Sequence, residues 1–439
     1  MATTHSDEEK SPSRMVSALR SQLKSGVLGR GGFSFLIAFA GISLASFVFH
    51  VIVSRLLGPT HYGVMGALLG IISLLTVPLG AVQLAVTQAV IHEEVKGQEF
   101  SMSRVTIRSF YGGCVAMAAL AASAPIVDGF LHIGSILPVC LVAVWIPLAT
   151  VSAVLQGALI GEYRFRPVAF ASFGGVGLVR LALGAVMVEA GYGVSGAVAA
   201  TIFAQAFTML SLLFSARREV FANRRASTVR TKLRDTILSI AALAGYTTLI
   251  GIDTFLAQHF FTSGLAGKYA AVAVAAHIAF FIPAGLVTVA FPHLADGKGT
   301  SQASRRIFQQ TLRLSVILGV LAAVVMTIVP SLVIKVLFGS KYAGGASFLS
   351  ELSFASVAIG ILILFVYLHL ARRSLLSLTP WIGVILAIVL ISVDHSSGPT
   401  VAFIMLIVSV ATMLIAGIPA LRWPVSLPDS SDSIGRAET

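Results

Sequence analysis

Apolar runs of about 20 residues, separated by short polar stretches, recur along this chain, and each is long enough to cross roughly 30 Å of hydrocarbon as a helix. The pattern predicts twelve spans, near 33–56, 62–90, 107–128, 135–159, 167–188, 193–216, 236–259, 266–292, 312–337, 346–371, 375–393 and 399–421. Ahead of them, "SRMVSALRSQLKSG" (13–26) places Met15, Val16, Leu19 and Leu23 at helical spacing opposite Arg14, Arg20 and Lys24. That is the pattern of a short helix lying in the membrane interface. The tail after Trp423 is polar and is expected to be disordered. The predicted organisation is therefore an N-terminal segment (1–32), six helices (33–216), a linker (217–235), six more helices (236–421) and a tail (422–439).

Composition agrees with the pattern. The chain is 56% hydrophobic and only 11% charged, with a mean hydropathy of +0.93, which no soluble core needs. The expected class is all-α and polytopic, with no length left over for a soluble domain. Residues 1–32 hold no apolar signal-peptide core, so the first span is expected to stay as an anchor. Cys114 and Cys140 both fall in apolar runs, where they read as small hydrophobes rather than as a disulfide or metal site.

Charge then sets the orientation. Of the 30 Lys and Arg, 25 fall in the N-terminal segment, the even-numbered connections and the tail, while the opposite side has little beyond Arg55, Lys268 and Lys341. By the positive-inside rule both termini are expected in the cytoplasm. The net charge of +12 is thus a topology signal, and no nucleic-acid partner is implied. The stretch "RREVFANRRASTVRTKLR" (217–234), with seven basic residues and one acid, reads as a linker lying on anionic lipid headgroups.

Six spans, a basic linker and six more suggest a duplication. A shift of 205 residues carries Pro78 onto Pro283, Gly80 onto Gly285, Arg108 onto Arg313 and Pro125 onto Pro330 in one ungapped register. Because the shift covers an even number of helices, both halves point the same way, about an axis along the membrane normal. The expected architecture is two six-helix lobes facing a central cavity. "GPTHYG" (58–63) before span two and "LAGKYA" (265–270) before span eight read as paired tight corners, with Tyr62 and Tyr269 at the membrane interface.

Several of these stretches also carry a family resemblance. "RLLGPTHYGVMGALLGIISLLTVPLGAVQLAVTQAV" (55–90) resembles the first hairpin of the polysaccharide biosynthesis, or oligosaccharide flippase, family. That family lies within the multidrug/oligosaccharidyl-lipid/polysaccharide exporter superfamily. "LQGALIGEYRF" (155–165) and "GYGVSGAVAATIFAQ" (191–205) are similar to its fourth to sixth spans. "DTFLAQHFFTSGLAGKYAAVAVAAHIAFFIPAGLVTVAFPHLA" (253–295) is similar to its seventh and eighth. The likeness covers about 33–300 and fades in the last four helices. It implies twelve helices in two lobes that flip a saccharide linked to polyprenyl phosphate or diphosphate by alternating access. It also implies that "GIDTFL" holds the family's acidic position in span seven.

Ionisable groups at membrane depth are costly, so each one is a functional candidate. Arg180, Asp253, His277 and Glu351 are the clear cases, with Arg55 at the outer end of span one. Arg180 and Arg55 suit a ligand phosphate, because a guanidinium meets phosphate oxygens in a fork. The competing structural role for Arg180 is a bridge to Asp253 or Glu351 between the lobes. Asp253, Glu351 and His277 are candidates for coupling to H+ or Na+. Gln83, Gln205 and Tyr246 are buried polar groups able either to meet sugar hydroxyls or to bond between helices.

The sequence holds no G-x-x-x-x-G-K-[ST], and "DGKGTS" lacks the upstream glycine. The outer connections are too short to carry the catalytic loop of a polymerase or ligase, so an enzyme is disfavoured. No cofactor, metal or catalytic residue is expected. The partners expected are the lipid-linked saccharide, membrane lipids, a coupling ion and polysaccharide assembly proteins. Two rival functions stand beside the flippase: a cation-coupled exporter of drugs or metabolites, and a non-transporting scaffold of an assembly complex. A cationic cavity favours the flippase, an acidic one the exporter, and a filled one the scaffold.

Overall fold

Glycine and proline decide where the helices break. The computed structural model describes residues 30–96, 102–217, 233–296 and 302–421. The continuous run Arg30–Lys96 bends at Gly58, whose φ of 70° suits only glycine, and Pro59 then opens the next helix. This gives α1 (30–57) and α2 (59–96). Further on, Gly191 (φ 92°) and Gly193 (φ 55°) separate α5 (165–190) from α6 (Gly193–Ser215).

Between these pairs lie α3 (Met102–Ala122) and α4 (Leu137–Gly161). The second half holds α7 (Leu233–Phe260), α8 (Ser263–Asp296), α9 (Gln302–Ile328), α10 (Leu349–Ala371), α11 (Thr379–Val393) and α12 (Gly398–Leu421). Among the described residues, 10 apolar helical runs are long enough to cross a membrane. Two of these, Gly41–Thr87 and Phe165–Ser215, are the broken pairs, so the runs make twelve crossings. The helix expected at 13–26, the tail and nearly all of the linker lie outside the described residues.

Spans three and nine end earlier than their hydropathy suggests. Each stops before a proline, and a separate eight-residue helix follows, Ala124–Leu131 and Pro330–Leu337, with Pro125 and Pro330 in its first turn. Proline has no N–H to continue the preceding helix, but it fits the start of a new one. These are the two prolines that the 205-residue shift superposes.

A second repeated detail lies at the other end. After α4, Tyr163 turns left-handed (φ 58°) while the Tyr163 and Arg164 amides donate back to Ile160 and Leu159. After α10, Arg373 turns left-handed (φ 52°), and the Arg373 and Ser374 amides donate to Leu370 and His369 in the same pattern. The two lobes, α1–α6 and α7–α12, are copies in one orientation, and they meet through α1 and α2 against α7 and α8. Below, "corner end" means the end bearing Gly58 and Thr262, and "basic end" the opposite one.

Tyr62 and Tyr269 depart from expectation. Neither sits at a membrane surface; they are only 1% and 0% exposed. The two corners pack against each other across the lobes, and this carries both rings inside.

Candidate functional site

Between the lobes lies a cavity of about 980 Å³, walled by α1, α2, α7, α8 and α10. Its lining starts at mid-helix and runs toward the basic end: Ser43 to Phe47, Thr76 to Leu84, Ser239 to Thr247 and Ile278 to Gly285. Gly80 and Gly285, the superposed glycines of the two P-x-G motifs, both face it, and a Cβ on either would meet nothing within 4 Å. The two prolines differ, because Pro283 packs under Gly319 and Gly360 whereas Pro78 is exposed. The walls are mostly apolar, with hydroxyls from Ser43, Thr76, Ser239, Tyr246, Thr247 and Tyr367 and, among the described residues, no charged group.

Arg180 is buried inside the N-terminal lobe and does not line this cavity. Its helix, α5, widens into π turns at Phe173–Val179 and Val188–Tyr192. Glycines allow this crowding: a Cβ on Gly175 would collide with Thr208 and the Ala204 carbonyl of α6. Such π segments often accompany functional residues. The Arg180 guanidinium lies 4.1 Å over the Phe49 ring, and its Nη1 donates to Ser46 Oγ at 3.4 Å, both on α1. Its Nε is buried without a hydrogen-bond partner. Among the described residues no carboxylate pairs with it, so the bridge to Asp253 or Glu351 is absent. The aromatic face and one hydroxyl offset only part of the cost of burying this cation.

The other ionisable groups lie apart from it. Asp253, 5% exposed on α7, accepts from Tyr269 Oη at 3.0 Å and from the Thr254 amide at 2.7 Å. Glu351 stands in the first turn of α10, where the helix dipole favours a negative charge, and its Oε2 is buried without a partner. His277 on α8 is half-buried beside Phe280.

The polar residues divide by position. Tyr246 lines the cavity and donates to the Ile359 carbonyl at 3.2 Å. Gln205 instead donates to Ser152 Oγ at 2.8 Å, as an interhelical bond within the first lobe. Gln83 is half-buried on α2, and its carbonyl abuts Gly157 of α4. Of the eight sequence-predicted residues, only Tyr246 is in the cavity wall.

Arg55 does something else. It reaches across the lobes at the corner end, where its Nε donates to the Leu337 carbonyl at 2.8 Å and its Nη2 donates to the Val336 carbonyl. Tyr342 Oη donates to the Ser54 carbonyl at 2.6 Å. From the other lobe, Gln258 Nε2 donates to the Leu131 carbonyl at 3.0 Å, and His259 Nδ1 lies 2.7 Å from that of Phe130. The His259 ring also stacks on Phe130 at 3.9 Å. Small residues bring the backbones together beneath these contacts. A Cβ on Gly63 would lie 2.9 Å from Gly267 N, and one on Gly66 would lie 3.1 Å from Ala270 Cβ. The cavity is therefore sealed at the corner end.

Three residues of this region escaped the sequence reading. His50 Nδ1 lies 2.9 Å from Tyr62 Oη, and the ring is within electrostatic reach of Arg180 and His277. It is an ionisable group at membrane depth, so the rule that selected His277 selects it too. Gln258 and His259, near the end of a span, carried no signal of that kind.

Comparison with known proteins agrees with this architecture. A family model described as "Polysaccharide biosynthesis protein" matches residues 52–346. No curated protein matches the chain in sequence. Among solved structures, it resembles an inward-facing multidrug resistance MATE family transporter of the MOP superfamily (TM-score 0.71, 12% identity, covering 87% of this chain and 94% of that one). An outward-facing structure of such a transporter gives 0.64 at 14% identity, covering 89% and 93%. A ligand complex of the MATE multidrug transporter DinF-BH also gives 0.64, at 16% identity, covering 95% and 98%.

Proposed function

This chain belongs to the polysaccharide biosynthesis protein family, and on that premise we propose that it moves a lipid-linked saccharide between membrane leaflets by alternating access. In this reading it sits in a bacterial inner membrane, with the basic end and both termini in the cytoplasm. One observation carries the proposal: a cavity of about 980 Å³ lies between two copied lobes, walled toward the basic end and sealed at the corner end. That is the arrangement of a transporter open to the cytoplasm, and the higher TM-score to the inward-facing relative supports it.

The roles follow from the chemistry. The cavity exceeds the size of most drug pockets and has room for a few sugar units. Its hydroxyls suit sugar hydroxyls, and its apolar walls suit the lipid. Arg180, a buried cation with an unsatisfied Nε, is the group to receive the carrier phosphate or diphosphate. Asp253, held by Tyr269, is the first candidate for a coupling H+ or Na+.

The described lining residues carry no charge, which favours a second reading, cation-coupled export of a neutral amphipathic drug or metabolite. An open cavity speaks against a scaffold that transports nothing. The deciding experiment is deletion of the gene, followed by mass analysis of membrane lipids. The flippase reading expects a lipid-linked saccharide to accumulate on the cytoplasmic side. An unchanged lipid profile with lost tolerance to an amphiphile would transfer the assignment to the exporter.

A further inference from the structure

The contacts at the corner end share one form. A helix ends with unsatisfied carbonyls and a partial negative charge, which donors and cations relieve. Here the short helix Pro330–Leu337 of the second lobe ends on Val336 and Leu337, and Arg55 at the end of α1 donates to both carbonyls. In mirror fashion, the short helix Ala124–Leu131 of the first lobe ends on Phe130 and Leu131. These carbonyls are met by His259 and Gln258, at the end of α7.

The 205-residue shift relates the two sets. It carries Leu131 to Val336, one of the two acceptors of Arg55, and Val53, two residues before Arg55, to Gln258. In each lobe the end of the first helix therefore caps the short helix of the other lobe. Among the described residues neither helix is capped by a side chain of its own lobe, and the C-caps His132 and Phe338 use backbone bonds.

We propose that these two reciprocal caps are the latch of the corner end, and that Arg55, Gln258 and His259 are positioning residues that set the balance between the two faces of the transport cycle. The inference goes beyond the cargo assignment and holds for either cargo. Separating the lobes uncaps both short helices at once. The seal is then cooperative: losing either cap weakens the closed state without touching the cavity.

The test uses the full-length protein with Cys114 and Cys140 replaced by alanine, reconstituted in lipid nanodiscs. Spin labels are placed at Ile136→Cys and Lys341→Cys, two exposed sites that the 205-residue shift also relates. Pulsed electron–electron resonance then reads the distance between the lobes. The expected result is one short-distance population in the parent. In Arg55→Ala, and separately in Gln258→Leu, a longer-distance population should gain at least about tenfold, which corresponds to 1.4 kcal/mol. Arg55→Lys keeps a charged donor and should fall between parent and alanine. If Arg55→Ala fails to fold, Gln258→Leu carries the same test, since it matches in size and removes the donor together with an Oε1 that has no partner. Unchanged distance distributions in the folded variants overturn the latch.

Discussion

Gly267→Ala is the sharpest test of the sealed corner end. A Cβ at this position would stand 2.8 Å from Pro59 Cα and nearer still to the Pro59 carbonyl. Both obstacles are backbone atoms at the start of a helix, so no side-chain rotation relieves the overlap. Atoms in contact normally stay more than about 3 Å apart, and the carbonyl oxygen is the nearest obstacle, so α2 and α8 must separate by more than about 1 Å here. Overpacking of that kind costs about 1–3 kcal/mol. Charged wholly to the sealed state, it shifts the population some 5–150-fold toward opening. Ala270→Cys, 2% exposed at the same seam, serves as the reporter in a background lacking Cys114 and Cys140. Its modification by a membrane-impermeant maleimide should be slow in the parent and at least about fivefold faster with Gly267→Ala. A lower melting temperature with an unchanged labelling rate would refute the reasoning. The strain would then be absorbed within the fold rather than released by parting the lobes.

Four further outcomes are expected. Arg180→Ala should reduce saccharide transport at least about tenfold at normal protein level, while Arg180→Lys keeps the charge but not the fork and retains part of it; vesicle uptake and immunoblotting read the two quantities. Tyr269→Phe removes the phenol donor to the buried Asp253 carboxylate and should cost about 1–3 kcal/mol in thermal unfolding; Asp253→Asn should abolish any dependence of transport on pH or sodium, and a folding defect alone would make it a structural group. Cysteine placed after Arg225 should react only from the cytoplasmic side of intact cells, and labelling from outside would overturn the orientation.

Much of the fold was legible because hydropathy and proline act locally. Pro125 and Pro330 broke two helices at superposed positions, and their sequence register alone revealed the copied lobes. The same prolines defeated the span boundaries, since hydropathy ran on through them to 128 and 337. Placement of side chains around the cavity was far less legible. Arg55 and Arg180 look alike in sequence, each a lone arginine in an apolar setting. One caps a helix across the lobes and the other lies on Phe49 within its own lobe, a difference that rests on packing between helices distant in the chain. Tyr62 and Tyr269 failed for the same reason: their corners meet each other, and a hairpin read singly looks like a membrane surface.

The uncharged wall of the cavity has an electrical consequence. A pore that exposes fixed charges and water to one side lowers the barrier to ions, and any leak discharges the membrane. Here the described lining residues offer hydroxyls and hydrocarbon only. An ion forced past the packed backbones of the corner end would give up hydration for little in return, at a cost well above the roughly 2.3 kcal/mol that 100 mV supplies per charge. The molecule should therefore behave as an insulator in this state, with planar-bilayer conductance no greater than that of lipid alone.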